Sequence, residues 1–194
     1  KVWKNEEFRW YLGLIALITV LIFFALFLFV YPSNGLENYN LAGMEHAFRI
    51  SLFHVTSIVS TTAFYIEDYT SWLSITSLIF FALFFIGGSA GSTSGGITVI
   101  RHVILIKNCF AEFKRILHPN AIIPVRYNRK SLQQSVVFHV MAFFVMYMFI
   151  WIASSILFAL FNYGVTMSLF DILTSLTITA STLANVGNAL GEYG

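Results

Sequence analysis

Three long stretches of this chain contain no Asp, Glu, Lys or Arg, and that feature restricts the fold more than any other. They cover residues 10–31, 72–100 and 132–163. At about 1.5 Å per residue, a helix of the 22 residues from Trp10 to Tyr31 can cross a hydrocarbon layer of about 30 Å. Charged residues make up 10% of the chain, whereas soluble domains average about 25%. The sequence therefore predicts an all-α integral membrane protein.

The basic residues are concentrated in two places. Ten of the eleven lie before the first apolar stretch or within residues 101–130, and the exception is Arg49. Residues 31–72 hold four acidic side chains instead. The positive-inside rule therefore places the amino end and residues 101–130 in the cytoplasm. The single cysteine, Cys109, falls on that side, where the compartment is reducing.

Two further segments are apolar enough to enter the membrane but too short and too rich in Ser and Thr to cross it. They are residues 44–65 and 168–190. Backbone can leave helical geometry at membrane depth only beside protein or a water-filled cavity. We therefore expect each segment to form a re-entrant pore helix followed by a loop. The alternative is a pair of amphipathic helices that lie at the membrane surface.

A helix predicted over residues 72–118 is interrupted in its apolar part. The interruption holds five Gly and four Ser or Thr, and each Gly costs about 1 kcal/mol relative to Ala inside a helix. We expect the helix to unwind there, to resume near Ile97 and to lead into a cytoplasmic loop at residues 119–130. The interrupting residues, called the glycine segment below, are Gly87, Gly88, Ser89, Ala90, Gly91, Ser92, Thr93, Ser94, Gly95 and Gly96.

The order of these segments indicates an internal repeat of helix–pore loop–helix units. Residues 1–130 hold one complete unit, which starts with the spanning helix at 10–31. Residues 131–194 hold a spanning helix at 132–163 and the second pore loop, and the closing helix of this unit is expected beyond Gly194. Four such loops around one axis would form a central ion pore. The remaining units must then come from sequence outside this chain or from other chains.

Three motifs carry a family resemblance. They are S-T-T-A-F at residues 60–64, I-G-G-S-A-G-S-T-S-G-G-I-T-V-I-R at 86–101, and T-L-A-N-V-G at 182–187. Together they resemble the Trk/Ktr/HKT potassium transporter superfamily, and most closely its bacterial TrkH branch of pore-forming subunits. The resemblance covers nearly the whole chain and corresponds to the third repeat and the first part of the fourth.

This resemblance implies a potassium uptake pore in the bacterial inner membrane, with one filter loop from each of four repeats. It also implies contact with membrane lipid, a homodimer and a cytoplasmic nucleotide-binding regulatory subunit of the TrkA type. The basic residues Lys107, Lys114 and Arg115 are candidate contacts for that subunit. No enzymatic activity, no nucleic acid partner and no cofactor besides the transported K⁺ are expected.

The resemblance also implies which residues form the filter. They are Thr61, Thr62, Ala63 and Phe64 in the first loop, and Asn185, Val186, Gly187 and Asn188 in the second. The main-chain oxygens expected to hold K⁺ are those of Thr61, Thr62, Asn185 and Val186. Ala63 departs from the family, which usually has Gly there, and a left-handed backbone costs Ala about 1 to 2 kcal/mol. Either the loop follows a different path, or the filter discriminates less strictly against Na⁺. Asn188 and Ala189 also stand where relatives often carry Pro and Gly.

For the glycine segment, the resemblance implies an intramembrane gate on the cytoplasmic side of the filter. Two other interpretations remain open. Gly87, Gly91 and Gly95 form a double G-x-x-x-G pattern, which is typical of close helix packing in lipid. A phosphate-binding loop is the other, but Ile97 and Thr98 stand where that motif requires Lys and Ser or Thr.

The main alternative function is a secondary transporter that holds a small solute at the broken helix. Such a protein would need a titratable or Na⁺ site, and the sequence offers no buried carboxylate beside the glycine segment. A membrane-anchored interaction module is a third class. Among the ionisable residues in apolar segments, Asp171 is expected either to cap the second pore helix or to attract ions. His54 and His139 are expected to be packing residues.

Overall fold

The computed structural model describes residues 5–30, 41–67, 72, 74–118, 123–162 and 170–187. Within these residues the fold is built from six α-helices: α1 Glu6–Ala25, α2 Leu41–Val59, α3 Ser74–Phe84, α4 Val99–Leu117, α5 Gln134–Asn162 and α6 Phe170–Leu183. Asn188 and the side chain of Asp171 lie outside the described part, so their expected roles stay predictions.

Helices α1 and α5 are long and apolar enough to span a membrane. The most apolar 18-residue windows of Glu6–Phe29 and Gln134–Phe161 have mean hydropathies of 3.0 and 2.3, and a π-helical turn, Leu26–Val30, continues α1. Only 17% and 6% of their most apolar windows are buried. An apolar helix in the core of a soluble protein would be mostly buried, so the exposed side chains of α1 and α5 require an apolar surrounding such as lipid.

The buried core joins α1, α2, α3 and α6. Its members are Ile22, Leu26, Ala47, Ile50, Val55, Ile58, Val59, Phe80, Leu83, Phe84, Ala180, Ala184 and Val186. The buried side chains of α2 and α6 favour re-entrant pore helices over amphipathic helices that lie at the membrane surface. His54 is also buried, and its ring nitrogens lie 2.9 Å from the Ile50 oxygen and 3.1 Å from the Glu67 oxygen. His139 is exposed on α5, so the described part of this chain does not bury it and its expected packing role stays a prediction.

The predicted break separates α3 from α4. Helix α3 ends at Phe84 and α4 begins at Val99, two residues later than expected. The ends of the intervening loop are fastened together, since the Gly87 amide donates to the Ile97 oxygen (2.9 Å) and the Val99 amide donates to the Gly88 oxygen (3.1 Å). The glycine segment is therefore a closed loop and not a helix. The G-x-x-x-G interpretation is wrong, because that motif requires the helical register.

A small β-hairpin follows α4, within the connection expected to form a cytoplasmic hairpin loop. Strands β1 (Arg126–Tyr127) and β2 (Lys130–Ser131) are antiparallel, and the turn residues Asn128 and Arg129 have φ of 48° and 65°. Two positive φ values are typical of the type I′ turns that connect hairpins. The Glu6 amide donates to Asn128 Oδ1 (2.9 Å). The amino end of α1 and the basic connection thus lie at the same end of the bundle, consistent with the positive-inside rule.

Helix α6 is held against α5 by polar contacts. Trp151 Nε1 donates to the Leu176 oxygen (3.2 Å), and the hydroxyls of Ser155 and Thr179 lie 2.5 Å apart. These contacts satisfy polar groups that would be costly inside an apolar bundle. They also fix the position of α6, after which the second loop begins.

Candidate ion filter and gate

The two loops start from the same backbone motif. At the end of α2, the Thr62 amide donates to the Ser57 oxygen (2.9 Å) and the Thr61 amide donates to the Ile58 oxygen (3.0 Å). The corresponding bonds at the end of α6 run from Val186 to Ser181 (2.9 Å) and from Asn185 to Thr182 (3.0 Å). This pair of bonds defines a Schellman cap, which requires one left-handed residue. Thr61 and Asn185 occupy that position with φ of 55° and 57°.

A second left-handed residue follows two positions later in each loop. Ala63 has φ of 62° and Gly187 has φ of 97°, whereas Thr62 and Val186 between them do not have positive φ. In an ordinary extended chain successive carbonyl groups point to opposite sides. A left-handed residue at every second position instead turns successive carbonyls toward one side, as a filter lined by main-chain oxygens requires.

The structure brings these two loops together. A Cβ atom on Gly187 would lie 3.6 Å from the Cβ of Ala63, which is van der Waals distance. The two residues are 124 positions apart in sequence, as are Thr61 and Asn185. Residues at corresponding places in the two loops therefore face each other.

Ser57 holds the end of the first loop in place. Its hydroxyl donates to the Phe64 oxygen (2.6 Å), and the side chain is buried. One lone pair of that oxygen is thus directed at α2, while the Phe64 ring is exposed. Ser57 was not singled out from the sequence, although aligning the two units would have shown Ser181 at the same place.

The left-handed conformation of Ala63 leads to a stability prediction. Replacing Ala63 by Gly in the full-length parent protein removes a strain of about 1 to 2 kcal/mol, against a backbone entropy cost of about 0.5 to 1 kcal/mol. We expect the free energy of unfolding in detergent to rise by about 0.5 to 1 kcal/mol. Ala47→Gly is the control, because Ala47 is buried in α2 and Gly there should lower that free energy by about 1 kcal/mol or more. If both variants lose the same free energy of unfolding, the left-handed backbone assigned to Ala63 is contradicted.

The glycine segment lies directly against the second loop. A Cβ atom on Gly95 would lie 2.1 Å from the Ala184 oxygen and 2.8 Å from the Cβ of Asn185. Only Gly permits this approach. Because Ala184 and Asn185 form the left-handed cap at the end of α6, the segment touches the backbone on which the second loop is built.

Hydroxyl groups close the glycine segment on itself. The Gly88 amide donates to Ser94 Oγ (2.9 Å), and Ser94 Oγ donates to Ser92 Oγ (3.1 Å). The tip, at Ala90 and Gly91, is exposed, and Gly91 has φ of 88°. A loop of this kind can occupy a passage and can move without repacking large side chains.

A buried carboxylate lies beside this segment, contrary to the expectation from sequence. Glu7 Oε1 accepts a hydrogen bond from the Ala90 amide (2.5 Å), and Glu7 is only 6% exposed. The expectation failed because the two residues are 83 positions apart, one in the first turn of α1 and the other in the glycine segment. No local pattern connects them.

Comparison with known proteins decides the family. The profile described as "TrkH: Cation transport protein" matches residues 1–193.

The chain belongs to the TrkH family.

Several TrkH-family proteins are similar over most of the chain. The "Trk system potassium uptake protein TrkH" of Halomonas elongata is 34% identical over 152 residues, which are 78% of this chain and 29% of that protein. The protein of the same name from Vibrio parahaemolyticus is 32% identical over 190 residues, 98% of this chain and 36% of the relative. The TrkH protein of Escherichia coli K12 is 30% identical over 189 residues, which are 97% of this chain and 36% of that protein. The chain thus spans about a third of the length of these relatives.

A solved TrkH structure has the same fold. The crystal structure of the potassium transporter TrkH from Vibrio parahaemolyticus superposes with a TM-score of 0.80 at 30% identity. The match covers 100% of this chain and 38% of that one. The all-α membrane architecture predicted from the sequence is confirmed, and this chain is part of a multi-pass membrane protein.

Proposed function

We propose that this chain forms part of the wall of a potassium uptake pore, to which it contributes two filter loops and a gate. The observation that carries the proposal is the pair of facing loops, each with left-handed residues at alternate positions. The names of the TrkH relatives, which are potassium uptake proteins, support K⁺ as the ion.

The proposed mechanism is selective ion passage without covalent chemistry. Main-chain oxygens of Thr61 and Thr62 in one loop, and of Asn185 and Val186 in the other, would replace part of the hydration shell of K⁺. Ala63 and Gly187 would hold those oxygens in orientation through their left-handed backbone. Two further loops, from parts of the parent protein outside this chain, would complete the ring.

The glycine segment is proposed to be the gate. Its contact with Ala184 and Asn185, at the start of the second loop, and the exposure of its tip support this role. Helix α4 begins at Val99, three positions after the segment ends, so displacement of α4 at the cytoplasmic end would pull on the gate.

The assembly is proposed to be a homodimer in the bacterial inner membrane, with a cytoplasmic nucleotide-binding regulatory subunit. Two of the three candidate contacts for that subunit are already engaged inside the chain. Lys107 is paired with Glu6, and Arg115 with Glu112. Exposed basic side chains remain at Lys114 and in the hairpin at Arg126, Arg129 and Lys130, so the contact is better placed there.

Coupled transport is the second candidate function, because Glu7 supplies the buried carboxylate that it would need. The two candidates differ in whether flux depends on a second ion. A pore lets K⁺ move down the K⁺ gradient whether or not a proton or Na⁺ gradient is present. A coupled transporter can move K⁺ against the K⁺ gradient when a proton or Na⁺ gradient drives it.

The experiment that tests the proposal is cation flux through the full-length parent protein in liposomes. We expect K⁺ and Rb⁺ to move down their gradients without any proton or Na⁺ gradient, with Na⁺ slower, and protein-free liposomes as the control. Absence of K⁺ flux would refute the proposal. Flux that requires a proton or Na⁺ gradient would favour coupled transport.

A further inference from the structure

Glu7 is an unusual residue for the first turn of a spanning helix, because it is buried. Its side chain is 6% exposed, whereas Arg9 and Trp10 of the same turn are exposed. Burial of a carboxylate is unfavourable unless hydrogen bonds compensate for the lost water. The described partner of the carboxylate is the Ala90 amide at the tip of the glycine segment.

The hydrogen bond from the Ala90 amide to Glu7 belongs to a strong class. A hydrogen bond to a charged acceptor contributes about 1.5 to 3 kcal/mol, roughly twice the value for neutral groups. The glycine segment is otherwise held at its base, where Gly87 and Gly88 pair with Ile97 and Val99, and at Gly95 against the second loop. The bond from Glu7 is therefore the described tether of its tip.

The position of Glu7 is set by the cytoplasmic hairpin. Asn5 Oδ1 caps α1 by accepting the Glu7 amide (3.2 Å), and it also accepts the Tyr127 hydroxyl (3.2 Å) and Asn128 Nδ2 (3.1 Å). Burial raises the pKa of the Tyr127 phenol, so the phenol stays protonated and remains a donor. The hairpin thus fixes the residue from which the helix, and with it Glu7, begins.

Helix α4 is also bonded to the start of α1 and to the hairpin. Lys107 forms an ion pair with Glu6 and donates to the Arg126 oxygen (3.0 Å). The start of α1, the hairpin and the helix that follows the glycine segment therefore form one connected unit at the cytoplasmic end. A displacement of the hairpin would be transmitted to Glu7 through these bonds.

We propose that Glu7 is a positioning residue that holds the glycine segment in its blocking position through the Ala90 amide. The hairpin at residues 126–131 sets where Glu7 stands. This inference rests on the proposed function, in which the glycine segment is the gate, and adds the residue that keeps it closed.

The test is Rb⁺ flux through the full-length parent protein with Glu7→Ala and Glu7→Gln. Loss of a bond of this strength shifts a closed–open equilibrium by about tenfold or more, so we expect Glu7→Ala to raise flux by about tenfold. Gln keeps an acceptor oxygen without the charge, so Glu7→Gln should raise flux less. Glu45→Ala is the matched control, because Glu45 is an exposed carboxylate paired with Arg49 on α2 and should leave flux unchanged.

A second measurement separates gating from a general structural role. In a protein that also lacks residues 89–93, Glu7→Ala should have no further effect on flux, because the tethered tip is gone. If that deletion alone fails to raise flux, the proposed gate itself is refuted. If the deletion raises flux but neither Glu7 variant does, only the inference about Glu7 is overturned. A fall in flux with Glu7→Gln would instead assign the carboxylate to cation binding and would overturn the inference as well.

Discussion

Removal of residues 89–93 from the full-length parent protein is expected to raise K⁺ flux by at least about tenfold. A gate that keeps the open population below about one in ten contributes at least that factor, and the deletion removes the part proposed to block the passage. The chain can be rejoined with little disturbance, because the Gly88 amide already lies 2.9 Å from Ser94 Oγ. The bonds at the base of the loop, from Gly87 to Ile97 and from Val99 to Gly88, are retained.

The control for this deletion keeps the length of the segment. Replacing the same five residues by five Gly leaves backbone in the passage, so flux should stay much closer to that of the unmodified protein. The K⁺/Na⁺ flux ratio should be unchanged in both variants, because neither touches the filter loops. A fall in flux with normal expression would show that the segment supports packing and does not block ions.

Gly187→Ser is expected to lower the K⁺/Na⁺ flux ratio by about tenfold. Gly187 has φ of 97°, where an L side chain is strained by about 1 to 2 kcal/mol, and the loop must relax to relieve that strain. Relaxation turns the neighbouring carbonyls, including that of Val186, away from their common side. A change of about 1.4 kcal/mol in relative ion binding corresponds to the tenfold loss. The ratio is measured from K⁺ and Na⁺ fluxes in liposomes.

Gly91→Ser is a matched control for this substitution. Gly91 also has positive φ, 88°, and a Cβ atom there would meet no atom within 4 Å. The backbone strain is therefore comparable, but it falls in the glycine segment. We expect the amount of flux to change in Gly91→Ser and the ion ratio to stay the same. An unchanged ratio in Gly187→Ser would refute the filter assignment.

Ala63 connects the sequence prediction with the structure. The sequence posed two possibilities at this position: a different backbone path, or a left-handed Ala and weaker discrimination against Na⁺. In the structure Ala63 has φ of 62° and faces Gly187. The path is thus the one expected for Gly, which leaves a weaker discrimination against Na⁺ as a prediction for the flux measurements.

The sequence by itself determined the features that depend on the hydropathy and helix propensity of neighbouring residues. Spanning helices follow from the hydropathy of some 20 consecutive residues, and the break between α3 and α4 follows from the helix propensity of Gly. The left-handed residues after α2 and α6 lie in motifs that could be recognised because they recur among members of the family. For these features no knowledge of distant neighbours is needed.

Only the tertiary structure decided which segments meet. The 3.6 Å approach of Gly187 to Ala63, the contact of Gly95 with Ala184 and the bond from Ala90 to Glu7 join residues far apart in sequence. Such contacts depend on how helices pack, and composition or periodicity does not encode a particular partner. The same reason explains why the sequence missed the buried carboxylate beside the glycine segment: Glu7 resembles any charged residue near a helix start, and only packing brings it to the Ala90 amide.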